Sequence, residues 1–298
     1  MFPLRAIQPS PLAGIVMMLA STGVFVTMNT IIKLIGPGYD PILLTFIRNL
    51  VASLVIVPFI VHSGGMAVLR TNRPWMHAAR SLGGVVSTIL YFYAFVRLPL
   101  ADVMVISQSV PLIVAMLAAV VLKEHVGMRR WAAICVGFVG VLVTLNPTAA
   151  IRPEVLVAIA AAAIWAVTIL VLRSLGRTES PYTVVFYYMV SGTVLTALAL
   201  PWVWRTPPFD VLLMLAVAGV LGAFGQILMT YAFKLADASL VAPFNYTSIL
   251  WGIGIDLAVW HLAPSTTTLW GAAIITAAGL YLLHREGLRR KSTPPKES

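Results

Sequence analysis

Two charged side chains lie inside long apolar segments, where an ionisable residue is a candidate for function because a bilayer makes an isolated charge costly. Arg48 lies seven residues after Pro41, where one apolar segment begins. At 1.5 Å per helical residue, this is roughly 10 Å from the end of the segment. The planar guanidinium binds carboxylates and phosphates through paired hydrogen bonds. We therefore expect Arg48 to clamp an acidic substrate group, and the alternative is a structural arginine that bonds backbone carbonyls at a helix break.

Asp256 is the one acid that the sequence places clearly inside an apolar segment. The other nine Asp and Glu residues lie at segment ends or in connections. Asp256 is four residues from the end of its segment at Trp260, near enough for its carboxylate to reach interfacial water. We expect it to serve in coupling or in contact with a cation, and the alternative is an end residue whose charge reaches the interface. Because Arg48 needs a partner, we also expect Asp256 or nearby carbonyls to hold the guanidinium in the empty state.

Two polar runs lie beside prolines at matching places in the chain. Ser107–Ser109 precedes Pro111, and Asn245–Ser248 follows Pro243. A proline removes a backbone hydrogen bond from a helix and leaves carbonyls free to line a cavity. We expect the two runs to form a pocket near the middle of the membrane. The alternative is that these side chains bond only within their own helices or join neighbouring helices.

The remaining candidates are polar or aromatic residues within other apolar segments. The aromatic members would supply stacking faces, although large aromatic residues are also ordinary packing residues in membrane bundles. The five histidines lie near segment ends without metal-ligand spacing, and a single cysteine excludes a Cys-rich zinc site, so we expect neither metal nor cofactor. The candidate substrate-binding residues are Asn29, Arg48, Tyr91, Ser107, Gln108, Trp165, Gln226, Asn245, Tyr246 and Trp251.

The elements that position these residues must be membrane-spanning helices. The chain of 298 residues is 60% hydrophobic and only 10% charged, with a mean hydropathy of +0.94, whereas soluble domains carry about 25% charged residues. A spanning helix needs roughly 20 mostly apolar residues. We predict an all-α membrane protein with ten transmembrane helices. The predicted spans are Leu12–Leu34, Pro41–His62, Trp75–Val96, Leu100–Leu122, Arg130–Leu145, Val155–Leu172, Tyr182–Trp204, Asp210–Phe233, Ser239–Trp260 and Leu262–Leu283.

Basic residues fall mainly on one side of these predicted spans. Of the twenty Lys and Arg residues, fifteen lie on the side of the two termini, four lie on the opposite side, and Arg48 lies within a span. Loops that carry excess Lys and Arg stay in the cytoplasm. We therefore expect both termini to be cytoplasmic. The net charge of +10 reflects this topology and contact with anionic lipids, rather than binding to nucleic acid.

The two halves of the chain match at a spacing near 140 residues. Pro41 falls on Pro181, and after a slip of two residues Tyr93–Phe95 falls on Tyr231–Phe233. Because each half has five predicted spans, an odd number, the second half would lie upside down relative to the first. Inverted repeats are typical of secondary transporters, whose substrate sites lie near the midplane between the repeats. The predicted division is 1–146 for the first five-helix repeat, 147–284 for the inverted second repeat and 285–298 for a basic cytoplasmic tail.

The segment from Tyr91 to Leu145 carries a series of short motifs at characteristic places. They are Leu98–Asp102, Pro111-Leu112, Leu122–Glu124, Trp131 and Gly137–Val141. With these motifs the segment resembles the first repeat of EamA-type transporters in the drug/metabolite transporter superfamily, with Lys123 in place of the family's glycine. The resemblance implies a ten-helix bundle of two inverted repeats in the bacterial inner membrane. It also implies transport of small metabolites such as amino acids, aromatic compounds, riboflavin or S-adenosylmethionine.

These observations favour a secondary transporter that works by alternating access. Export of an amino acid or a related compound is the first expectation, and uptake of a nutrient such as riboflavin or S-adenosylmethionine is the alternative. An intramembrane enzyme would need acids or histidines clustered at one depth, so we expect no enzymatic activity. A channel-like subunit would show a polar stripe along several helices, whereas polarity here is concentrated at mid-depth. The expected partners are a small-molecule substrate and the lipid bilayer, without nucleic acid, and either a monomer or a homodimer.

Overall fold

The computed structural model describes residues 10–63, 65–121, 128–144, 152–175, 178–236 and 241–292, which contain helices and connections but no strands. Short 3-10 turns cover Gly36–Gly38, Gly65–Leu69 and Ala242–Tyr246. The α-helices are α1 (Pro11–Ile35), α2 (Pro41–His62), α3 (Pro74–Phe95), α4 (Leu100–Ser107), α5 (Val110–Val121), α6 (Met128–Thr144), α7 (Pro153–Leu175), α8 (Pro181–Val203), α9 (Phe209–Leu235), α10 (Thr247–Trp260) and α11 (Thr266–Ser292).

Six segments are long and apolar enough to cross a membrane, by length and composition. Two shorter apolar helices, Trp131–Thr144 and Thr266–Leu282, add to them. The chain is therefore a multi-pass, all-α membrane protein, and the count of ten spans stays a prediction. The six segments are Pro11–Gly38, Pro41–His62, Leu100–Leu117, Pro153–Leu172, Tyr182–Val203 and Phe209–Ala232.

Proline sets where several helices begin. A proline at the first helical position costs no hydrogen bond, since the first N–H groups of a helix have no intrahelical partner, and its fixed φ suits the helix. The residue before the proline can add a cap: the Asp40 carboxylate accepts from the Ile42 N–H at 2.8 Å. Helices α1, α2, α3, α7 and α8 all begin at a proline, namely Pro11, Pro41, Pro74, Pro153 and Pro181.

The end of the chain differs from the prediction in two places. The last helix begins at Thr266 rather than at Leu262, because His261 takes a left-handed backbone conformation that ends α10, and residues 262–265 form a connection. Helix α11 then continues to Ser292, whereas the sequence predicts a tail from Arg285. Residues 285–292 contain no proline and extend the helix, while residues 293–298 lie outside the described residues.

The fourth predicted span is interrupted where its polar run lies. Helix α4 ends at Ser107 and α5 begins at Val110, immediately before Pro111. The proline ring conflicts with the carbonyl four residues earlier and supplies no N–H, so a continuous helix is disfavoured there. The ninth predicted span has a corresponding interruption: the 3-10 turn at Ala242–Tyr246 leads directly into α10, and the predicted start at Ser239 lies outside the described residues.

Helices from the first half of the chain pack mainly on helices from the second half. Helix α1 lies along α9 and α3 lies along α7, while α2 packs on α8, α4 on α10 and α6 on α11. With the predicted repeat spacing, α1 corresponds to α7 and α3 to α9. Exchanging the two halves therefore converts the α1–α9 pair into the α7–α3 pair. The same exchange leaves the pairs α2–α8, α4–α10 and α6–α11 unchanged. The helices that carry the candidate residues therefore meet between the halves.

Candidate functional site

Arg48 lies in α2 and is enclosed by α1, α3 and α8, with only 3% of its surface exposed. One terminal nitrogen donates to Asn49 Oδ1, and the two terminal nitrogens lie 3.8 Å from the sulfurs of Met28 and Met189. The guanidinium carbon is 5.8 Å from the centre of the Phe92 ring. Thioethers are weak acceptors, and the buried Nε has no hydrogen-bond partner among the described residues. Within those residues, the Arg48 charge also has no acidic partner.

The prediction that Asp256 holds Arg48 is wrong. Lys33 Nζ lies 2.8 Å from Asp256 Oδ1, and the Ala101 N–H donates to Asp256 Oδ2 at 2.8 Å. Lys33 also lies 4.2 Å from the centre of the Trp260 ring. Asp256 is only 2% exposed, which differs from the alternative in which its carboxylate reaches the interface. The flexible lysine stem at the end of α1 reaches the carboxylate on α10, and its charge is matched there rather than at Arg48.

A cavity of about 120 Å³ lies beside this ion pair. Asp102 borders it and accepts a hydrogen bond from Thr268 at 2.7 Å. A cavity of this size is large enough to hold several water molecules beside the carboxylates. Its lining consists of Pro99, Ala101, Asp102, Asp256, Leu262, Ala263, Pro264 and Ser265.

The two interrupted spans meet at Gln108. Its side-chain nitrogen donates to the Asn245 backbone carbonyl at 3.0 Å and to Ser248 Oγ at 2.6 Å. Ser107 bonds within its own helix instead, donating to the Met104 carbonyl at 2.7 Å. The structure thus brings Gln108 and Asn245 together, and Ser107 follows the alternative of a bond within one helix.

Five other candidates lie inside the bundle. Asn29 and Gln226 are buried, and so is Tyr246. The hydroxyl oxygens of Tyr91 and Tyr246 are buried without a hydrogen-bond partner in the described part of the chain. Tyr91 and Trp165 border the same apolar cluster between α5 and α7, so one aromatic candidate from each half lies in the same region.

Trp251 is the most exposed of the candidate residues. Its side chain is 48% exposed and its ring faces the α1 backbone at Gly23, where an added Cβ would lie 3.6 Å from the ring. The structure therefore places Trp251 at the edge of α10, apart from Arg48 and the other buried candidates.

Sequence analysis missed a second buried arginine. Arg80 lies in α3, six residues after Pro74, and is only 1% exposed. Its guanidinium carbon lies 4.4 Å from the centre of the Tyr188 ring and 5.8 Å from that of Trp165. By sequence alone, a basic residue close to a cytoplasmic helix end is a topology signal. The sequence signal for its burial is its distance from the start of the helix, since Arg80 lies about as far from Pro74 in α3 as Arg48 lies from Pro41 in α2.

Comparisons with known proteins extend these observations. The sequence model of the EamA-like transporter family matches residues 12–146 and, a second time, residues 152–284. The chain is 30% identical to an S-adenosylmethionine uptake transporter of Rickettsia bellii, covering 85% of this chain and 87% of the relative. It is 29% identical to a riboflavin transporter of Vibrio cholerae, covering 94% and 96%. It is 25% identical to the pseudopaline exporter CntI of Pseudomonas aeruginosa, covering 91% and 95%.

A solved structure described as "Crystal structure of protein" has the same fold. It superposes with a TM-score of 0.65 at 19% sequence identity, over 95% of this chain and 100% of the other. At that identity the likeness concerns the fold alone. The two family matches together span nearly the whole chain, and they agree with its apolar helices and with its full-length relatives. The chain is a membrane transporter that belongs to the EamA-like transporter family of the drug/metabolite transporter superfamily.

Proposed function

We propose that the protein is a secondary transporter that moves a small, carboxylate-bearing metabolite across the bacterial inner membrane by alternating access. The observation that carries the proposal is the burial of Arg48 with no acidic partner in the described ranges. A buried cation without a partner is costly, and an acidic group on the substrate would neutralise it. Helices from both halves contact Arg48, as expected for a site between two repeats.

One contact supports the proposal that the halves are inverted repeats. The hydroxyls of Ser53 and Thr193 lie 3.5 Å apart, and these residues are 140 positions apart, which is the repeat spacing in this part of the chain. Gln108 bonds Ser248 at 2.6 Å, two positions from its repeat mate Tyr246 at the spacing of 138 that holds from Tyr93 onward. Since a residue lies beside its own repeat mate, or beside a near neighbour of it, only close to a symmetry axis, we infer a pseudo-twofold axis between α2 and α8 and between the two interrupted spans.

The proposed topology has ten spans with both termini in the cytoplasm. Its support is the excess of basic residues on one side. After replacement of Cys135, single cysteines at Gly38 and Thr148 should react with a membrane-impermeant reagent on intact cells. Cysteines at Ser63 and Thr178 should stay unlabelled, and labelling at either position would overturn the topology.

We infer the substrate class from the charge of Arg48 and from aromatic side chains elsewhere between the halves. A guanidinium favours a carboxylate or phosphate, and Trp165 and Tyr91 offer ring faces at the apolar cluster between α5 and α7. S-adenosylmethionine, the substrate in the names of several relatives, carries both a carboxylate and a planar adenine. We therefore propose an amino acid or amino-acid derivative as substrate, with S-adenosylmethionine as the first compound to test.

Export remains one proposed direction, because a relative that covers most of this chain is an exporter. Uptake is the second candidate, and the relatives with 29–30% identity whose names state uptake favour it. Counterflow in proteoliposomes does not by itself distinguish export from uptake. The direction has to be measured in cells, which maintain their own ion gradients. We therefore propose measuring both the cellular accumulation and the cellular release of the same labelled compound.

Asp256 stays the proposed coupling residue, now as part of an ion pair. Protonation of its carboxylate would weaken the contacts to Lys33 and to the Ala101 N–H together. These contacts join α1, α4 and α10, so their loss would loosen the two halves at one end of the bundle. A proton gradient should then drive transport by wild type but not by Asp256→Asn, if that variant folds.

The test of the main proposal is transport by purified protein in liposomes. Labelled S-adenosylmethionine, riboflavin and a set of amino acids should be offered separately, and a substrate should give saturable flux that unlabelled compound competes. Arg48→Ala should abolish this flux, and Arg48→Lys should weaken it because the lysine keeps the charge but loses the planar fork. Arg97→Lys, at an exposed arginine, is the matched control. Wild-type flux and affinity in Arg48→Ala would overturn the proposed role of Arg48.

A further inference from the structure

Arg80 is a second buried cation, and the proposed binding of substrate at Arg48 does not explain it. It is among the largest fully buried side chains of the described residues. Its Nε and one terminal nitrogen are buried and have no hydrogen-bond partner there. The rings of Tyr188 and Trp165 lie within 4.4 and 5.8 Å of the guanidinium carbon. Rings attract the cation but do not accept its N–H groups as a carboxylate does.

Within the described ranges, Glu179 is an acid on the same side of the bundle, and it is already engaged. Glu179 accepts a hydrogen bond from Thr71 at 2.8 Å and lies 3.9 Å from His77 Nε2. No ion pair involving Arg80 occurs within the described ranges, where the pairs found are Lys33–Asp256 and His77–Glu179. The Arg80 guanidinium therefore keeps unsatisfied donors inside the bundle, which is costly unless an anion reaches them.

Packing around Arg80 holds the aromatic faces in place. The Tyr188 hydroxyl lies 2.9 Å from Thr88 Oγ1, which fixes the ring beside α3. Gly84, one helical turn beyond Arg80, leaves space for both groups: a Cβ there would lie 2.7 Å from Tyr188 Cε2 and 3.1 Å from an Arg80 terminal nitrogen. Arg80 is thus held in an aromatic frame rather than pointed at the membrane surface.

The two buried arginines contact consecutive residues of one helix. Arg80 stacks on Tyr188, and Arg48 contacts the sulfur of Met189, both in α8. Arg48 enters this region from α2, roughly 10 Å from the Pro41 end, and Arg80 enters from α3, roughly 9 Å from the Pro74 end. In the proposed topology these helix ends lie on opposite sides of the membrane, so the two cations occupy different depths.

We propose that Arg80 is a second anion-binding residue, on the cytoplasmic side of Arg48, that receives the acidic group of the substrate while Trp165 and Tyr188 contact its planar part. The ligand class is a compound with a carboxylate or phosphate next to an aromatic or heteroaromatic ring. The inference rests on the proposed transport function. Arg80 is enclosed in this conformation, so the ligand reaches it in a conformation that opens α3 from α7 and α8.

Sodium benzoate is a suitable probe, because it combines a carboxylate with one ring, and benzyl alcohol is the uncharged control. Thermal unfolding of the purified full chain in detergent should be followed against benzoate concentration at constant ionic strength. We expect a saturable rise in Tm for wild type and for the control variant Arg97→Gln, and no saturable rise with benzyl alcohol. Arg80→Gln should raise the apparent Kd of benzoate at least tenfold, which corresponds to about 1.4 kcal/mol. Arg48→Gln should keep a saturable response.

The outcomes separate this inference from the proposed function. If Arg80→Gln binds benzoate as wild type does, the role of Arg80 is overturned and that of Arg48 is unaffected. If wild type shows no saturable response to benzoate, the inference about Arg80 is overturned, whereas the role of Arg48 is decided separately by the substrate flux of Arg48→Ala. Should Arg80→Gln fail to fold, Trp165→Leu provides the second variant. It keeps the charge and should weaken benzoate more than acetate, whereas equal weakening of both would contradict the aromatic contact.

Discussion

Buried charge is handled differently in two regions of the bundle. At the ion pair, Lys33 and Asp256 neutralise each other at 2.8 Å, and a backbone N–H satisfies the second carboxylate oxygen. At the two buried arginines, Arg48 and Arg80, only amide, sulfur and aromatic groups are close in the described residues. Paired charges stabilise one arrangement of helices, whereas unpaired charges leave binding capacity for a ligand. We therefore propose different roles for the two regions: ligand binding at the unpaired arginines, and coupling through the ion pair of Lys33 and Asp256.

The largest expected effect is on stability, at the ion pair. Asp256→Asn leaves the half-buried Lys33 without its counter-charge; breaking a fully buried pair costs about 3–5 kcal/mol, and we expect the lower part of that range here. We expect a clear fall in Tm of the purified protein, while Asp210→Asn at an exposed position should have little effect. A double change of Lys33→Met with Asp256→Leu should recover much of the loss. A Tm of Asp256→Asn equal to that of the control would show that the pair contributes nothing.

The buried arginines should respond in the opposite sense. Arg48→Met removes a charge that lacks an acidic partner among the described residues, and its new side chain would lie beside Met28 and Met189. We expect Tm to be retained or raised, because the desolvation cost disappears, while substrate binding is lost. If Arg48→Met lowered Tm as much as Asp256→Asn does, the unpaired arginine and the ion pair would not differ in their contribution to stability.

Arg48→Lys tests how much of the binding depends on the fork of the guanidinium. A hydrogen bond to a charged group contributes about 1.5–3 kcal/mol, so the affinity for a carboxylate substrate should fall at least tenfold with expression unchanged. Riboflavin, which has no carboxylate, should be affected less. Equal weakening of both compounds would indicate a structural role for Arg48.

The contact between the interrupted spans should give a smaller effect. Gln108→Leu removes bonds to Asn245 and Ser248, and each lost bond costs about 0.5–1.5 kcal/mol. We expect slower transport with expression largely intact. Asn245→Leu is the matched comparison, because Asn245 accepts through its backbone carbonyl and keeps that bond. A larger loss in Asn245→Leu than in Gln108→Leu would point to a direct role of the Asn245 side chain.

The smallest expected effect concerns Asp102. Thr268→Val keeps the side-chain shape and removes the hydroxyl that donates to Asp102 at 2.7 Å. One hydrogen bond is worth about 1 kcal/mol, so Tm should fall only slightly. A fall comparable to that of Asp256→Asn would mean that Asp102 and Thr268 belong to the ion-pair region.

Sequence patterns predict those features that depend on local chain properties. Prolines mark the starts of α2 and α8, the apolar runs indicate the long helices, and the depth of Arg48 indicates its burial. The Lys33–Asp256 contact joins residues 223 positions apart, and no local pattern identifies such a pair. Arg80 was missed because a basic residue near a helix end fits the topology rule equally well, and only tertiary packing distinguishes a surface arginine from an enclosed one.

Gln108 has a mechanical consequence for the transport cycle. Its amide links a break in one half of the molecule to the corresponding break in the other, so neither break can straighten or shift while both bonds persist. We therefore expect motion at the two breaks to be concerted, with a displacement that starts at α4 transmitted to α10 through these bonds. A transporter built in this way would switch between its states as a single unit, since the release of one small side chain frees both hinges together.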